Sequence, residues 1–85
     1  VLRQNYPNPF NPETTIRYSL TEDAEVSVSV YDLRGKLVRH IAQGRQAAGE
    51  HRLHLHAGDL SSGIYFYVLN VNGKNSKIKK MTLVK

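Results

Sequence analysis

Three prolines, Pro7, Pro9 and Pro12, fall in the run Asn5-Tyr6-Pro7-Asn8-Pro9-Phe10-Asn11-Pro12 near the start of this chain. Each proline removes a backbone donor and fixes φ, so no helix forms here. Each also pushes the residue before it toward extended conformations. The run contains no glycine and carries two large apolar groups, Tyr6 and Phe10. A stiff, aromatic-bearing segment of this kind suits a strap that lies across one end of a sheet core and seals it. A flexible linker normally holds Ser, Thr, Gly or Glu at such positions. Residues 1–13 therefore read as a strap packed on a body formed by residues 14–85, the whole being one small domain.

The body alternates with period two. Ile16, Tyr18 and Leu20 fall on one face of a strand over residues 14–20, with Thr15, Arg17 and Ser19 on the other. Residues 24–32 repeat the pattern more strictly, setting Val26, Val28 and Val30 against Ser27, Ser29 and Tyr31. One covered and one wetter face is the antiparallel signature. Asp32-Leu33-Arg34-Gly35 reads as a type I turn ending on a glycine. Residues 36–42 return as a strand, although their spacing also fits a single helical turn, and residues 43–50 read as a loop between Gly44 and Gly49. Residues 51–56 alternate again, Leu53 and Leu55 opposite Arg52, His54 and His56.

Residues 64–71 are apolar on both faces, which predicts a central strand covered on both sides. Asn72-Gly73 predicts a type I′ hairpin into residues 75–84. The step from Ile78 to Met81 breaks the alternation and predicts a bulge near Lys79-Lys80. Six to seven short antiparallel strands with frequent turns and no amphipathic helix make an all-β sandwich.

Charge is segregated. The 85-residue chain has a net charge of +5, and residues 60–85 contribute Lys74, Lys77, Lys79, Lys80 and Lys85 without one acidic residue. A basic end favours an acidic partner, while lysines along a terminal strand also discourage edge-to-edge aggregation. The absence of cysteine excludes disulfides and thiolate chemistry. No run is apolar enough to span a bilayer. Beginning at Val1, the chain reads as a piece of something longer.

Catalytic patterns are weak. His54 and His56 share a strand face beside Arg52, with no carboxylate placed among them by the sequence. Ser61 and Ser62 lie in a turn without a base, and no phosphate-cradling glycine loop precedes a helix. No enzyme, cofactor or metal function is expected. Tyr65 and Tyr67 share a face and suit either a core or a stacking platform for sugars. The lysines lie on a different strand from the tyrosines, which argues against nucleic acid.

Taken together, the run from Asn5 to Pro12 followed by Thr15-Ile16-Arg17-Tyr18 resembles the opening of the type IX secretion system C-terminal sorting domains, the Por secretion tail family. Val30-Tyr31-Asp32 with Gly35, Ala48-Gly49-Glu50-His51, Ser62-Gly63-Ile64-Tyr65-Phe66-Tyr67 and Lys79-Lys80-Met81 through Lys85 follow in the family's order. Leu55-His56 departs from the Trp-Asp or Trp-Asn common at that place, and Thr21 from a frequent proline. The first departure implies a smaller or repacked core.

The resemblance implies an immunoglobulin-like sandwich at the C-terminus of an exported protein. That protein would pass through the periplasm to the cell surface or the medium. It also implies a covalently linked N-terminal passenger, a protein receptor in the outer-membrane export machinery and a sortase-like protease, with no stable membrane insertion. Gly63 and Tyr65 match one family motif and Lys79, Lys80 and Lys85 the terminal one, with Lys77 in the same basic run. Tyr6, Pro7, Pro9, Phe10 and Pro12 are the structural strap. Physically, a free final strand edge bearing lysines suits recognition by strand addition. Two other readings remain: a carbohydrate-binding accessory module of a secreted polysaccharide-degrading enzyme, and a structural spacer like the sandwich modules of flagellar hook-capping proteins.

Overall fold

The strict alternation of the early strands decides which residues enter the interior. A computed structural model describes residues 1–85. In it β1 (Glu13–Leu20) buries Thr14, Ile16, Tyr18 and Leu20, and β2 (Ala24–Tyr31) buries Ala24, Val26, Val28 and Val30. The chain continues through β3 (Leu37–Gln46), β4 (Gly49–His56), β5 (Gly63–Val71), β6 (Lys74–Asn75) and β7 (Lys79–Leu83). β1 and β4 form a small antiparallel sheet. The larger sheet runs β3-β2-β5-β6, with β7 also paired to β5. The inner faces of the two sheets close on a core of 17 buried side chains, among them Leu53, Leu55, Tyr65, Tyr67, Leu69, Met81 and Leu83. This is the immunoglobulin-like sandwich of seven strands. Leu55, where an aromatic residue is common, lies fully within that core.

Turn chemistry follows the sequence closely. Asp32 Oδ1 accepts the N–H groups of Arg34 and Lys36, both at 2.9 Å, and holds the β2–β3 turn. Asn72 and Gly73 take φ of 50° and 88°, the left-handed pair a type I′ hairpin requires.

Three local expectations are corrected. Residues 43–50 are not a loop: β3 continues to Gln46 and only Ala47 and Ala48 link it to β4. Val26 and Ser27 pair with Gly44 and Ala42, so Gln43 is an extra residue that bends β3 while it stays bonded to β2. The irregularity foreseen at Lys79-Lys80 lies instead at residues 76–78. There the Ser76 N–H donates to the Leu69 carbonyl at 2.7 Å, and Ser76 Oγ accepts the Leu69 N–H at 3.0 Å. The serine side chain thus replaces a ladder partner, and the register moves by one before β7 begins. Finally, β5 is fully covered on one side and only partly on the other. Tyr65, Tyr67 and Leu69 face the core, while on the outer face Val68 is buried, Phe66 half-exposed and Ile64 exposed.

The leading segment serves both sheets. Residues 1–6 add backbone bonds to β1: Arg3 N–H to Arg17 O and a reciprocal pair between Tyr6 and Thr15, all at 2.9 Å. The chain then crosses to β7, where Phe10 N–H donates to Thr82 O at 3.0 Å and Phe10 O accepts the Val84 N–H at 2.9 Å. Its apolar anchors are Leu2 and Phe10, both buried. Tyr6 is 74% exposed and does not plug the core. Because both backbone groups of Tyr6 bond to Thr15, its ring is turned out to the far face of the small sheet.

Phe10→Ala removes a fully buried ring and is expected to cost about 3–5 kcal/mol, a large share of the stability of a domain this small. Tyr6→Ala is expected to stay within about 0.5 kcal/mol. Urea denaturation of the two variants checks the contrast.

Candidate recognition site

A β-strand offers its backbone to a partner only where its outward N–H and C=O groups are free. In β7 the groups of Lys79, Met81 and Leu83 face β5, and those of Lys80, Thr82 and Val84 face away. The leading segment occupies the outward set. Besides the two bonds to Phe10, Asn8 Oδ1 accepts the Thr82 N–H at 2.9 Å, and Gln4 Nε2 donates to Lys80 O at 2.6 Å. The free terminal edge expected for strand addition is therefore capped from Lys80 O to Val84 N–H.

The lysine side chains remain accessible. Lys77, Lys80 and Lys85 are exposed and Lys79 is half-buried, and none makes an ion pair. Alternation puts Lys79 on the side of Met81 and Leu83, and Lys80 on the outer face, opposite Phe66. Lys85 closes the end of the strand. Its N–H donates to Ser62 Oγ at 3.0 Å, and its ammonium donates to Gly58 O at 2.5 Å. The lysines thus surround the end of β7 instead of sharing one face.

Gly63 and Tyr65 build this end without presenting side chains to a partner. Gly63 pairs with Leu83 at φ +154°, a conformation that L side chains rarely adopt. Tyr65 is buried, and its hydroxyl donates to Ser61 O at 2.6 Å, tying the preceding turn to β5. Tyr67, also buried, holds the strap: its hydroxyl donates to Arg3 O at 2.8 Å and accepts the Asn5 N–H at 2.7 Å. Burial pushes the Tyr67 phenol up to about 12, against the smaller opposing effect of the Asn5 N–H. With both tyrosines in the core, β5 provides no stacking platform for sugars.

Sequence reasoning missed the polar half of the strap. Asn5 is buried, with Nδ2 donating to Pro7 O and to Thr14 Oγ1, each at 3.1 Å, while Thr14 Oγ1 donates to Pro7 O at 2.8 Å. Pro12 O accepts the Ala57 N–H at 3.0 Å. Pro7 and Pro9 are exposed and Pro12 half-buried. Pro7 and Pro12 act through their carbonyls, and no proline leaves an unpaired donor behind. The asparagines before the prolines were the available signal, since Asn side chains bond nearby backbone readily.

The histidines do not assemble a metal centre: no three His, Asp or Glu side chains come together. His54 has a carboxylate beside it after all, because register brings Glu13 within 2.5 Å of Nε2. That hydrogen bond is the main reason the Glu13 carboxyl sits below its usual range.

A continuous match to residues 4–85 aligns this architecture with the secretion-system C-terminal sorting domain. The chain belongs to that family. Among solved structures, the sorting domain is similar to part of dimeric latent PorU from Porphyromonas gingivalis, with 24% identity, a TM-score of 0.77, and coverage of 94% of this chain and 9% of that one. It is also similar to part of PorZ, a type IX secretion component of the same organism, with 22% identity, a TM-score of 0.61, and coverage of 95% and 11%. FLGD from Pseudomonas aeruginosa follows at 23% identity and a TM-score of 0.58, covering 82% and 59%. At these identities the likeness shows a shared fold, and the sorting domain spans only about a tenth of the PorU and PorZ chains. No curated protein sequence matches. The family is one of type IX sorting modules, which direct a linked N-terminal passenger through the export machinery to the cell surface or beyond. The carbohydrate-module reading is not favoured.

The Tyr67 clamp gives a pH signature. A raised phenol pKa means that the folded state prefers the neutral ring. The stability it supports is complete below about pH 10 and is lost as pH rises toward 12. Tyr67→Phe is expected to lose about 1–3 kcal/mol at neutral pH by leaving the Asn5 N–H unpaired. It should also show a shallower fall in stability between about pH 9 and about pH 11.5, measured by denaturant titration beside the parent.

Proposed function

We propose that the export receptor reads this sorting domain through the side chains around the end of β7, chiefly Lys77, Lys80 and Lys85, with Lys79 at the margin. The observation that carries this reading is the combination at one strand: outward backbone groups already bonded to the strap, and exposed ammonium groups with no carboxylate partner. Affinity then comes from charge complementarity with an acidic receptor surface, which also speeds encounter and rejects wrong partners. Gly63 and Tyr65 act as positioning residues that fix where β5 starts and therefore where Leu83 and Lys85 come to rest. The domain performs no chemistry of its own. Removal by a sortase-like protease then takes place in the chain that precedes the sandwich, leaving the compact body as the discarded piece.

The test fuses residues 1–85 to a periplasmic reporter in a bacterium possessing the type IX machinery. Lys80→Glu with Lys85→Glu is expected to cut surface delivery by about tenfold, equivalent to about 1.4 kcal/mol of receptor affinity, while the domain still unfolds cooperatively. Thr82→Val, on the same strand, should leave delivery unchanged. Equal delivery from the charge-reversed and parent fusions would sink the proposal.

A further inference from the structure

The outer face of the small sheet carries an arrangement that neither folding nor sorting explains. The backbone groups of Thr15, Arg17 and Ser19 bond to the leading segment, so Arg17 and Arg52 form a non-hydrogen-bonded pair between β1 and β4. In such pairs the two side chains lie closest together. Like charges placed directly opposite destabilise a sheet, and here no carboxylate relieves them. Glu50 is engaged by Arg3 at 3.9 Å, and Glu13 by His54 at 2.5 Å. Neither Arg17 nor Arg52 has an ion pair, and both are exposed.

Beside them stands Tyr6, the ring turned away from the core. Tyr6, Thr15, Arg17 and Arg52 together line a concavity of about 450 Å³. Two free guanidinium groups supply planar forks for an oxyanion. An exposed tyrosine supplies a flat apolar face and Thr15 a hydroxyl. From this set we infer that the concavity binds an acidic saccharide, its carboxylate or phosphate held between Arg17 and Arg52 and its ring against Tyr6. The site lies on the sheet opposite β7, so it does not depend on how the lysines are read. It is also separate from Tyr65 and Tyr67, which are buried.

Uronate and sugar phosphate share the required chemistry, and the experiment separates them. Residues 1–85 are titrated with oligogalacturonate, with mannose 6-phosphate and with neutral dextran, following amide shifts by NMR at physiological salt. Shifts at Tyr6, Arg17 and Arg52 with one or both acidic probes, and none with dextran, are expected. Binding to only one acidic probe assigns a carboxylated or a phosphorylated sugar. Arg17→Gln and Arg52→Thr should each weaken binding by about tenfold, and Tyr6→Ala should weaken it without altering the fold. Lys36→Ala, in the β2–β3 turn of the other sheet, should leave saccharide binding unchanged. Arg52→Thr should also raise Tm by relieving the like-charge pair. The inference is overturned by silence from both acidic probes, by equal binding of dextran, by an equal loss with Lys36→Ala, or by a lower Tm for Arg52→Thr.

Discussion

The Tyr67 hydroxyl is the point on which the architecture turns. It projects from the central strand of the large sheet and meets a leading segment whose other bonds go to the small sheet and to β7. Two sheets of five and two strands do not close on themselves, and burying a backbone N–H such as that of Asn5 is costly without a partner. The phenol meets that need from inside the core. Asn5 and Thr14 then bond the Pro7 carbonyl, so the segment is fixed by polar bonds at its middle and by Leu2 and Phe10 on either side. Proline suits this path because it asks for no donor partner.

Closing the body this way settles which edges stay open. The leading segment covers β1 and β7, leaving the outer edges of β3, β4 and the two-residue β6. Those edges are blunted by other means. β3 carries extra residues at Val38 and Gln43 that bend it, and β4 displays Arg52, His54 and His56. Because the β7 edge is already paired, a partner gains nothing from its backbone and meets ammonium groups instead. On the proposed reading, the receptor discriminates by charge at the surface, without opening the sandwich.

Much of this was legible in the residues. Alternation at Val26, Val28 and Val30 and the Asn72-Gly73 hairpin both report local or nearest-neighbour preferences, which act the same way in any sandwich. What escaped was set by register and by long-range bonding. No pattern within residues 43–50 announces that Gln43 is absorbed as a bulge, because only its pairing with β2 makes it one. Likewise the outward turn of Tyr6, and the meeting of Glu13 with His54, follow from strands that lie 9 and 41 residues away. The aromatic weight of the strap was plain, but the division of labour between a buried Phe10 and an exposed Tyr6 was not.

That division bears on why the two faces differ. On β7 the cations are dispersed around a strand end, where mutual repulsion is weak and water screens each ammonium. On β1 and β4 two guanidinium groups are held in register by the sheet itself, with the adjacent acids committed elsewhere. Dispersed charge suits a broad, fast encounter with a large acidic surface. Charge concentrated beside an aromatic ring suits a small rigid anion, since planar forks gain most when the ligand cannot move away from them. The leading segment makes both possible, capping β7 so that only its lysines speak and turning Tyr6 outward onto the arginines.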